Sequence, residues 1–167
     1  MTDLIILATL LPGPKHGYLL KRQAGLVLGQ KELHSNLVYP LLRRFTTRKW
    51  VSKKSAPGER GQTRQLYSLT ALGRKELISQ LNTFTDQDAG VSNEFRFRVG
   101  MFQVIEPEAR ICILDTRERY LRSRIQKLTA IQQNFDLDRY SGEVTGRFLN
   151  DSQAELGWIE HLRKISK

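Results

Sequence analysis

The residues best suited to chemistry in this sequence are short polar groups and cations between positions 35 and 64. Ser35, Asn36 and Tyr39 carry groups that can hydrogen-bond to the edges of nucleic-acid bases. Cations suited to phosphate follow them along the chain, and these are Arg43, Arg44, Arg48 and Lys49. A second set of cations surrounds a turn rich in glycine and proline, and it comprises Lys53, Lys54, Arg60 and Arg64. This pattern predicts a surface that binds DNA.

The distribution of charge supports the same interpretation. The 167 residues contain 27 Lys and Arg against 17 Asp and Glu, an excess of 27 − 17 = 10. Residues 1–84 hold 14 cations and 4 anions, whereas residues 85–167 hold 13 of each. The whole positive excess therefore lies in the first half, which indicates a polyanionic partner there.

The sequence shows no pattern typical of catalysis. His16, His34 and His161 are scattered, and no histidine and carboxylate stand at metal-ligand spacing. Phosphate-binding glycine loops and nucleophile motifs are likewise missing from the sequence. We therefore expect no enzyme activity, no metal and no cofactor.

The cysteine content and the apolar runs bear on localisation. Cys112 is the one cysteine, which excludes an intramolecular disulfide and fits a reducing compartment. No apolar run approaches the ~20 residues that a membrane-spanning helix needs. The apolar start, Leu4 to Leu11, has no basic segment before it, so we interpret it as a core helix and not as a signal peptide. A cytoplasmic protein that does not bind membranes is expected.

Four helices and a hairpin are predicted to position the basic residues. Asp3 is expected to cap a first helix that ends at Pro12, and a second runs from about His16 to Leu28. Ser35 is expected to cap a third helix that continues to about Arg48, with Pro40 inside it. Two short strands flank the Gly/Pro turn, and Thr70 is expected to cap a fourth helix. This order is typical of a winged helix-turn-helix, whose third helix enters the major groove while the hairpin contacts the flanking backbone.

The second half is predicted to be helical, with a last helix from about Glu143 to Ile165. Residues 1–84 form the DNA-binding domain in this interpretation, residues 85–92 a polar linker, and residues 93–167 a helical domain. A long helix that starts at Pro107 would be hard to bury within so small a domain, so pairing with a second copy is the economical solution. The apolar residues assigned to this coiled-coil dimer contact are Phe95, Phe102, Leu114, Leu121, Ile125, Leu128, Leu156, Ile159 and Leu162.

The first half resembles the PadR family of bacterial transcriptional regulators. The resemblance covers about residues 3–80 and rests on three segments together. The first segment is Gly13-Pro14-Lys15-His16-Gly17-Tyr18. The second is Ser35 and Val38-Tyr39-Pro40-Leu41-Leu42-Arg43-Arg44-Phe45 with Trp50-Val51, and the third is Arg64 and Tyr67-Ser68-Leu69-Thr70 with Gly73-Arg74. The sequence departs from the family pattern in two ways. Lys49 stands where the family usually has glycine, so either an unusual backbone or a shifted turn is expected there. Gln65-Leu66 stands where the family often has Lys-Tyr.

The resemblance implies a function and partners. It implies a fold that is mainly α-helical with a small β-hairpin, and a sequence-specific regulator, with a repressor preferred to an activator. A homodimer would place its recognition helices about one DNA turn, ~34 Å, apart, and so would bind a roughly palindromic operator. Asn93-Glu94-Phe95 and Trp158 resemble the virulence-activator-like branch of the family. Relatives often respond to small aromatic or drug-like ligands, which implies an effector here. An aromatic cluster could line an apolar site for it, although core or dimer contacts explain these side chains better; the cluster comprises Phe95, Phe97, Phe102 and Trp158.

A different class of function fits the same elements. Some winged helices bind acidic proteins in place of nucleic acid, so a protein-interaction module without DNA binding is the alternative. The basic third helix together with Arg60 at the hairpin tip speaks against it. Titration with duplex DNA separates the two classes.

Overall fold

The structure is a computed structural model that describes residues 1–57 and 63–166. It divides into two compact units, Met1–Leu81 and Asn82–Lys167. In the described part of the chain, no helix combines the length and the apolar character needed to span a membrane.

The first unit contains four helices and a small sheet. Its elements in chain order are α1 (Thr2–Thr9), β1 (Lys15–His16), α2 (Gly17–Val27), α3 (Ser35–Thr47), β2 (Val51–Pro57), β3 (Thr63–Leu69) and α4 (Ala71–Asn82). The sheet is antiparallel with the strand order β1-β3-β2, and its register pairs Lys15 with Tyr67 and Val51 with Leu69. The predicted fold class is confirmed, because three helices, a hairpin and a closing helix make a winged helix-turn-helix.

The core of the first unit is built from the apolar side of each helix. The side chains that are almost completely buried are Ile5, Ile6, Leu7, Leu10, Leu20, Ala24, Val38, Leu42, Phe45, Val51, Leu77 and Leu81. Gly73 allows α4 to pack closely against Trp50, the residue that precedes β2. A Cβ at Gly73 would lie 2.0 Å from the Trp50 carbonyl oxygen, so only glycine permits this approach.

In the first unit, two helix starts differ from the sequence expectations and one agrees with them. Asp3 does not cap α1, which begins one residue earlier than Asp3 after Met1. Ser35 is the first residue of α3 and not its cap, because His34 holds the extended cap position without a side-chain hydrogen bond. The prediction for Thr70 is confirmed, since its Oγ1 accepts a hydrogen bond of 2.9 Å from the Gly73 N–H.

The second unit is entirely helical in its described residues. Its elements are α5 (Asp86–Ala89), α6 (Ser92–Gly100), a 3-10 turn (Phe102–Val104), α7 (Pro107–Asn134) and α8 (Arg139–Ile165). The predicted start of the long helix at Pro107 is confirmed, and proline suits this first-turn position because its missing donor costs nothing. Helix α8 begins four residues before the expected Glu143, since Asp138 caps it by accepting from the Tyr140 and Ser141 N–H groups.

Buried arginines organise this second unit. Arg117 on α7 is 1% exposed, donates to Glu155 Oε1 at 2.7 Å and to Ser92 Oγ at 2.9 Å, and also hydrogen-bonds the Ala89 carbonyl. One side chain therefore ties α5, α6 and α8 to α7. Arg98 is 4% exposed and pairs with Glu94 at 2.6 Å. Each guanidinium is buried together with a carboxylate, as a charge in a protein interior must be.

Candidate nucleic-acid interface

Helix α3 has one buried side and one exposed side. Val38, Leu41, Leu42 and Phe45 recur at helical spacing and dock the helix on the core of the first unit. The predicted contact residues all lie on the exposed side, and they are Ser35, Asn36, Tyr39, Arg43, Arg44 and Arg48. The helix is therefore available to a partner along its whole polar side.

Pro40 does not break this helix. It lies inside α3 and cannot donate to the carbonyl of Asn36, the residue four positions before it. Asn36 is exposed, so water can bind the carbonyl that Pro40 leaves free. The polar groups at the start of α3 thus precede Pro40 on a continuous helix, as the sequence predicted.

The end of α3 turns the chain into the hairpin through Lys49. This residue has φ +59°, the left-handed conformation that favours glycine. The N–H groups of Lys49 and Trp50 bond the carbonyls of Thr46 and Phe45 at 3.0 and 2.9 Å, which is a Schellman motif. The Trp50 ring packs on Phe45 with centroids 5.7 Å apart. The unusual backbone expected at Lys49 is confirmed, and it sets the direction in which β2 leaves the helix.

The hairpin carries the second set of predicted cations. Lys53 and Lys54 on β2 and Arg64 on β3 are exposed. The register pairs Lys53 with Tyr67 and Ala56 with Arg64 across the two strands. Arg60, together with Gly58 and Gly61 of the expected tip, lies outside the described residues.

A cleft joins the exposed side of α3 to the hairpin. It has a volume of about 490 Å³. Its lining comprises Tyr39, Arg43, Thr46 and Thr47 of α3, Lys53 of β2 and Tyr67 of β3. Two cations and the phenol hydroxyls of Tyr39 and Tyr67 thus converge on one concave surface, which is the chemistry that binds a phosphate oxygen. The Thr46 and Thr47 hydroxyls donate to the Leu42 and Arg43 carbonyls of their own helix.

Tyr67 contributes a neutral hydroxyl to this cleft. Burial raises the pKa of Tyr67, and the charge of the Tyr39 phenolate would raise it further. The phenol therefore stays protonated near neutral pH and can donate a hydrogen bond. Thr46, Thr47 and Tyr67 were not among the predicted site residues, because their sequence positions do not show that α3 and β3 line the same cleft.

Tyr39 depends on a glycine in the neighbouring helix. A Cβ on Gly17, the first residue of α2, would lie 2.9 Å from Tyr39 Cε1 and 3.1 Å from its hydroxyl. The ring therefore rests where any larger residue at position 17 would stand. The absence of a side chain at position 17 leaves room for the ring of Tyr39 at the edge of the cleft.

Arg44 has a partner within the chain. Its guanidinium forms an ion pair with the Asp3 carboxylate and lies 5.5 Å from the centroid of the Phe45 ring. Arg48 lies 4.8 Å from the Trp50 ring centroid. Arg43 forms no ion pair with any described residue. Of the three arginines of α3 and its C-cap, its guanidinium is therefore the most available to a phosphate.

The residues predicted to form a dimer contact divide into two groups. Phe95, Leu114, Leu121, Ile159 and Leu162 are buried within the chain itself and have little surface to offer a second copy. These five side chains pack within the second unit, so support for the predicted dimer contact rests on the remaining residues. The other predicted contacts are partly exposed, and they are Phe102, Ile125, Leu128 and Leu156. Dimerisation itself stays a prediction.

Among residues 1–57 and 63–166, no group of three or more His, Cys, Asp or Glu side chains is arranged to hold a metal ion.

Comparison with known proteins finds a family model that is similar to part of the first unit. Residues 6–79 match the sequence model of the transcriptional regulator PadR-like family. No curated protein matches the chain. Among solved structures, a protein assigned as transcriptional regulator TA0346 of Thermoplasma acidophilum is 32% identical over 47% of this chain and 74% of its own, with a TM-score of 0.44.

Two further solved structures are similar to the chain. Bacillus subtilis PadR in complex with operator DNA is 16% identical over 99% of this chain and 98% of its own, with a TM-score of 0.43. A PadR family transcription regulator from Clostridium difficile R20291 is 21% identical over 47% of this chain and 81% of its own, with a TM-score of 0.41. Over residues 6–79, the chain is thus similar to the PadR-like family of transcriptional regulators.

Proposed function

We propose that this regulator binds duplex DNA through the exposed side of α3 and the β2–β3 hairpin. The observation that carries the proposal is the shared cleft, because it joins Arg43 of α3 to Lys53 of the hairpin beside hydroxyl groups. A backbone phosphate bound there would fix the register of α3 on the groove. Ser35 and Asn36, at the exposed start of the helix, would then meet base edges.

The proposal assigns different tasks to the predicted cations. Arg43 and Lys53 bind a phosphate in the cleft, and Lys54 and Arg64 contact the backbone beside it. Arg48 stacks on Trp50, which keeps its guanidinium near the end of α3. Arg44 contributes less, because Asp3 already neutralises it. The structure of Arg60 is outside the described residues, and its proposed contact at the hairpin tip rests on the sequence alone.

The proposal extends to a homodimeric repressor on a roughly palindromic operator. The support for a dimer is the length of α7 and α8, which leaves partly exposed apolar residues such as Ile125 and Leu128 along the helix pair. Two copies related by a two-fold axis would present two α3 helices to related half-sites. Analytical ultracentrifugation of the full chain tests this part of the proposal, and a monomer at micromolar concentration would refute it.

Release from DNA by a small effector completes the proposal. The aromatic cluster suggested by the sequence gives it little support, because Phe95 is completely buried and packs edge-on against Trp158 with centroids 5.7 Å apart. The second unit nevertheless contains a cavity lined mainly by other residues.

The experiment that tests DNA binding is an Arg43→Ala substitution. We expect this change to weaken binding to an operator selected from a random DNA pool about tenfold, because it removes one charge-assisted phosphate contact. It should also lower the slope of log affinity against log salt concentration by about one. Mobility-shift titrations at several salt concentrations measure both quantities.

A matched control is Lys75→Ala on α4. Lys75 is exposed, has the same charge and does not line the cleft. Its loss should leave most of the operator affinity intact. If Arg43→Ala binds the operator as tightly as the unaltered protein, the assignment of α3 is wrong. If the unaltered protein binds no duplex at all, the protein-interaction module becomes the better explanation.

A further inference from the structure

The second unit contains a cavity with an unusual concentration of cations. Helices α6, α7 and α8 enclose a volume of about 470 Å³. Four of the lining side chains are arginines, and they are Arg96, Arg117, Arg124 and Arg147. Residues 85–167 as a whole carry 13 cations and 13 anions, so this cavity gathers positive charge in an otherwise neutral half of the chain.

Two of these arginines are neutralised by carboxylates in the same cavity. Arg117 donates to Glu155 at 2.7 Å. Arg147 pairs with Asp151 through two contacts of 3.0 Å. These pairs account for both acidic residues of the lining.

The other two arginines have no carboxylate partner in the part of the chain that the structure describes. Arg96 on α6 is exposed, and Arg124 on α7 is half-buried. The guanidinium of Arg124 lies 5.1 Å from the centroid of the Phe148 ring, which restrains it at the wall of the cavity. The cavity therefore has two uncompensated positive charges.

Aromatic surface lies beside these charges. Phe148 and Trp158 on α8 both line the cavity and keep 43% and 36% of their surface exposed. An apolar wall next to cations suits an organic molecule that carries acidic groups on a carbon skeleton.

We propose that this cavity binds a small organic polyanion, either a phosphate ester or a di- or tricarboxylate. Two acidic groups of such a ligand would neutralise Arg96 and Arg124, and its carbon skeleton would lie against Phe148 and Trp158. A neutral aromatic compound fits less well, because it would cover the guanidinium groups without compensating their charge. Binding of the anion does not depend on the proposed function, but its role as an effector rests on it.

Fluorescence of Trp158 provides a local measure of binding. The full chain with Trp50→Phe retains one tryptophan, and it lines the cavity. We expect citrate or glucose 6-phosphate to change the Trp158 emission in a saturable manner at constant ionic strength. Sodium chloride and phenol, tested at the same concentrations, should not.

Substitutions in the two basic surfaces locate the site. Arg96→Gln and Arg124→Gln should each raise the dissociation constant for the anion about tenfold or more, because each removes a charge-assisted contact. Arg43→Gln removes the same charge from the DNA-binding cleft in the first unit. It should leave the anion affinity unchanged while it lowers the affinity for DNA.

The outcomes separate the two proposals. Saturable anion binding that is lost in Arg96→Gln and Arg124→Gln but kept in Arg43→Gln supports the cavity, even if the protein fails to bind DNA. Anion binding that is unaffected by Arg96→Gln and Arg124→Gln, with both variants folded by circular dichroism, overturns it. Response to phenol alone would also overturn it, in favour of a neutral aromatic ligand.

Discussion

At the scale of single residues, the ion pair between Asp3 and Arg44 limits the charge available on α3. Both side chains are partly exposed, so the pair contributes little to stability, under about 1 kcal/mol. The pair affects the affinity for DNA more than it affects stability, because the Asp3 carboxylate competes with phosphate for the Arg44 guanidinium. The N-terminal helix thus lowers the charge of the exposed side of α3.

We expect Asp3→Asn to increase the affinity for operator DNA about threefold at low salt, because it frees Arg44 and removes a negative charge near the phosphates. The increase should shrink as salt is added. Fluorescence-anisotropy titration at two salt concentrations measures the change. Glu76→Gln on α4 is the matched control, since it removes one negative charge from the same unit. Equal gains in the two variants would contradict a specific role for the Asp3–Arg44 pair.

At the scale of elements, the junction between α3 and β2 contains Lys49, whose residue type disfavours the backbone conformation that it adopts there. Lys49 adopts φ +59° because the Schellman hydrogen bonds and the packing of Trp50 on Phe45 together require it. A side chain with a Cβ costs roughly 1 kcal/mol in this conformation. The packed ring pair offsets that cost and holds the hairpin beside the helix.

Replacing Lys49 with glycine should therefore stabilise the first unit by about 1 kcal/mol. The expected result is a higher midpoint of urea denaturation, followed by Trp50 fluorescence in a Trp158→Phe background. Lys49→Ala is the control for the lost charge, because alanine keeps the Cβ and should give no such gain. A glycine variant no more stable than the alanine variant would show that position 49 is not strained.

At the scale of the whole molecule, each unit has its own buried core and its own means of holding its helices. The first unit relies on apolar packing behind α3, whereas the second relies in part on Arg117, which is 1% exposed and hydrogen-bonded to groups of three other helices. Removing one partner of a buried ion pair leaves the other charge without compensation.

We expect Arg117→Met to destabilise the second unit by about 3–5 kcal/mol, because Glu155 would stay buried without its partner. Denaturation followed by Trp158 in a Trp50→Phe background should shift to lower urea. Trp50 fluorescence, measured in a Trp158→Phe background, reports the unfolding of the first unit. Arg119→Met on the exposed side of α7 is the control, and an equal loss in both variants would contradict the role of Arg117.

The winged helix could be predicted from sequence because its signals are local. Apolar spacing marked the buried side of α3, and the turn residues marked the hairpin. The conformation of Lys49 was also predictable, since a glycine is expected at that point of a PadR-like sequence. The starts of α1, α3 and α8 were less predictable, because several polar residues in a row can each serve as a cap.

The sequence by itself determined the order of elements, the exposed side of α3 and the positive excess of the first half, because each follows from spacing and residue type along the chain. Only the tertiary structure decided which distant groups meet. It paired Arg44 with Asp3, placed Tyr67 beside Arg43, buried Arg98 and Arg117, and left Arg96 and Arg124 on one cavity wall. Periodicity shows which side of a helix faces inward, but the neighbour that it meets there depends on how separate helices pack.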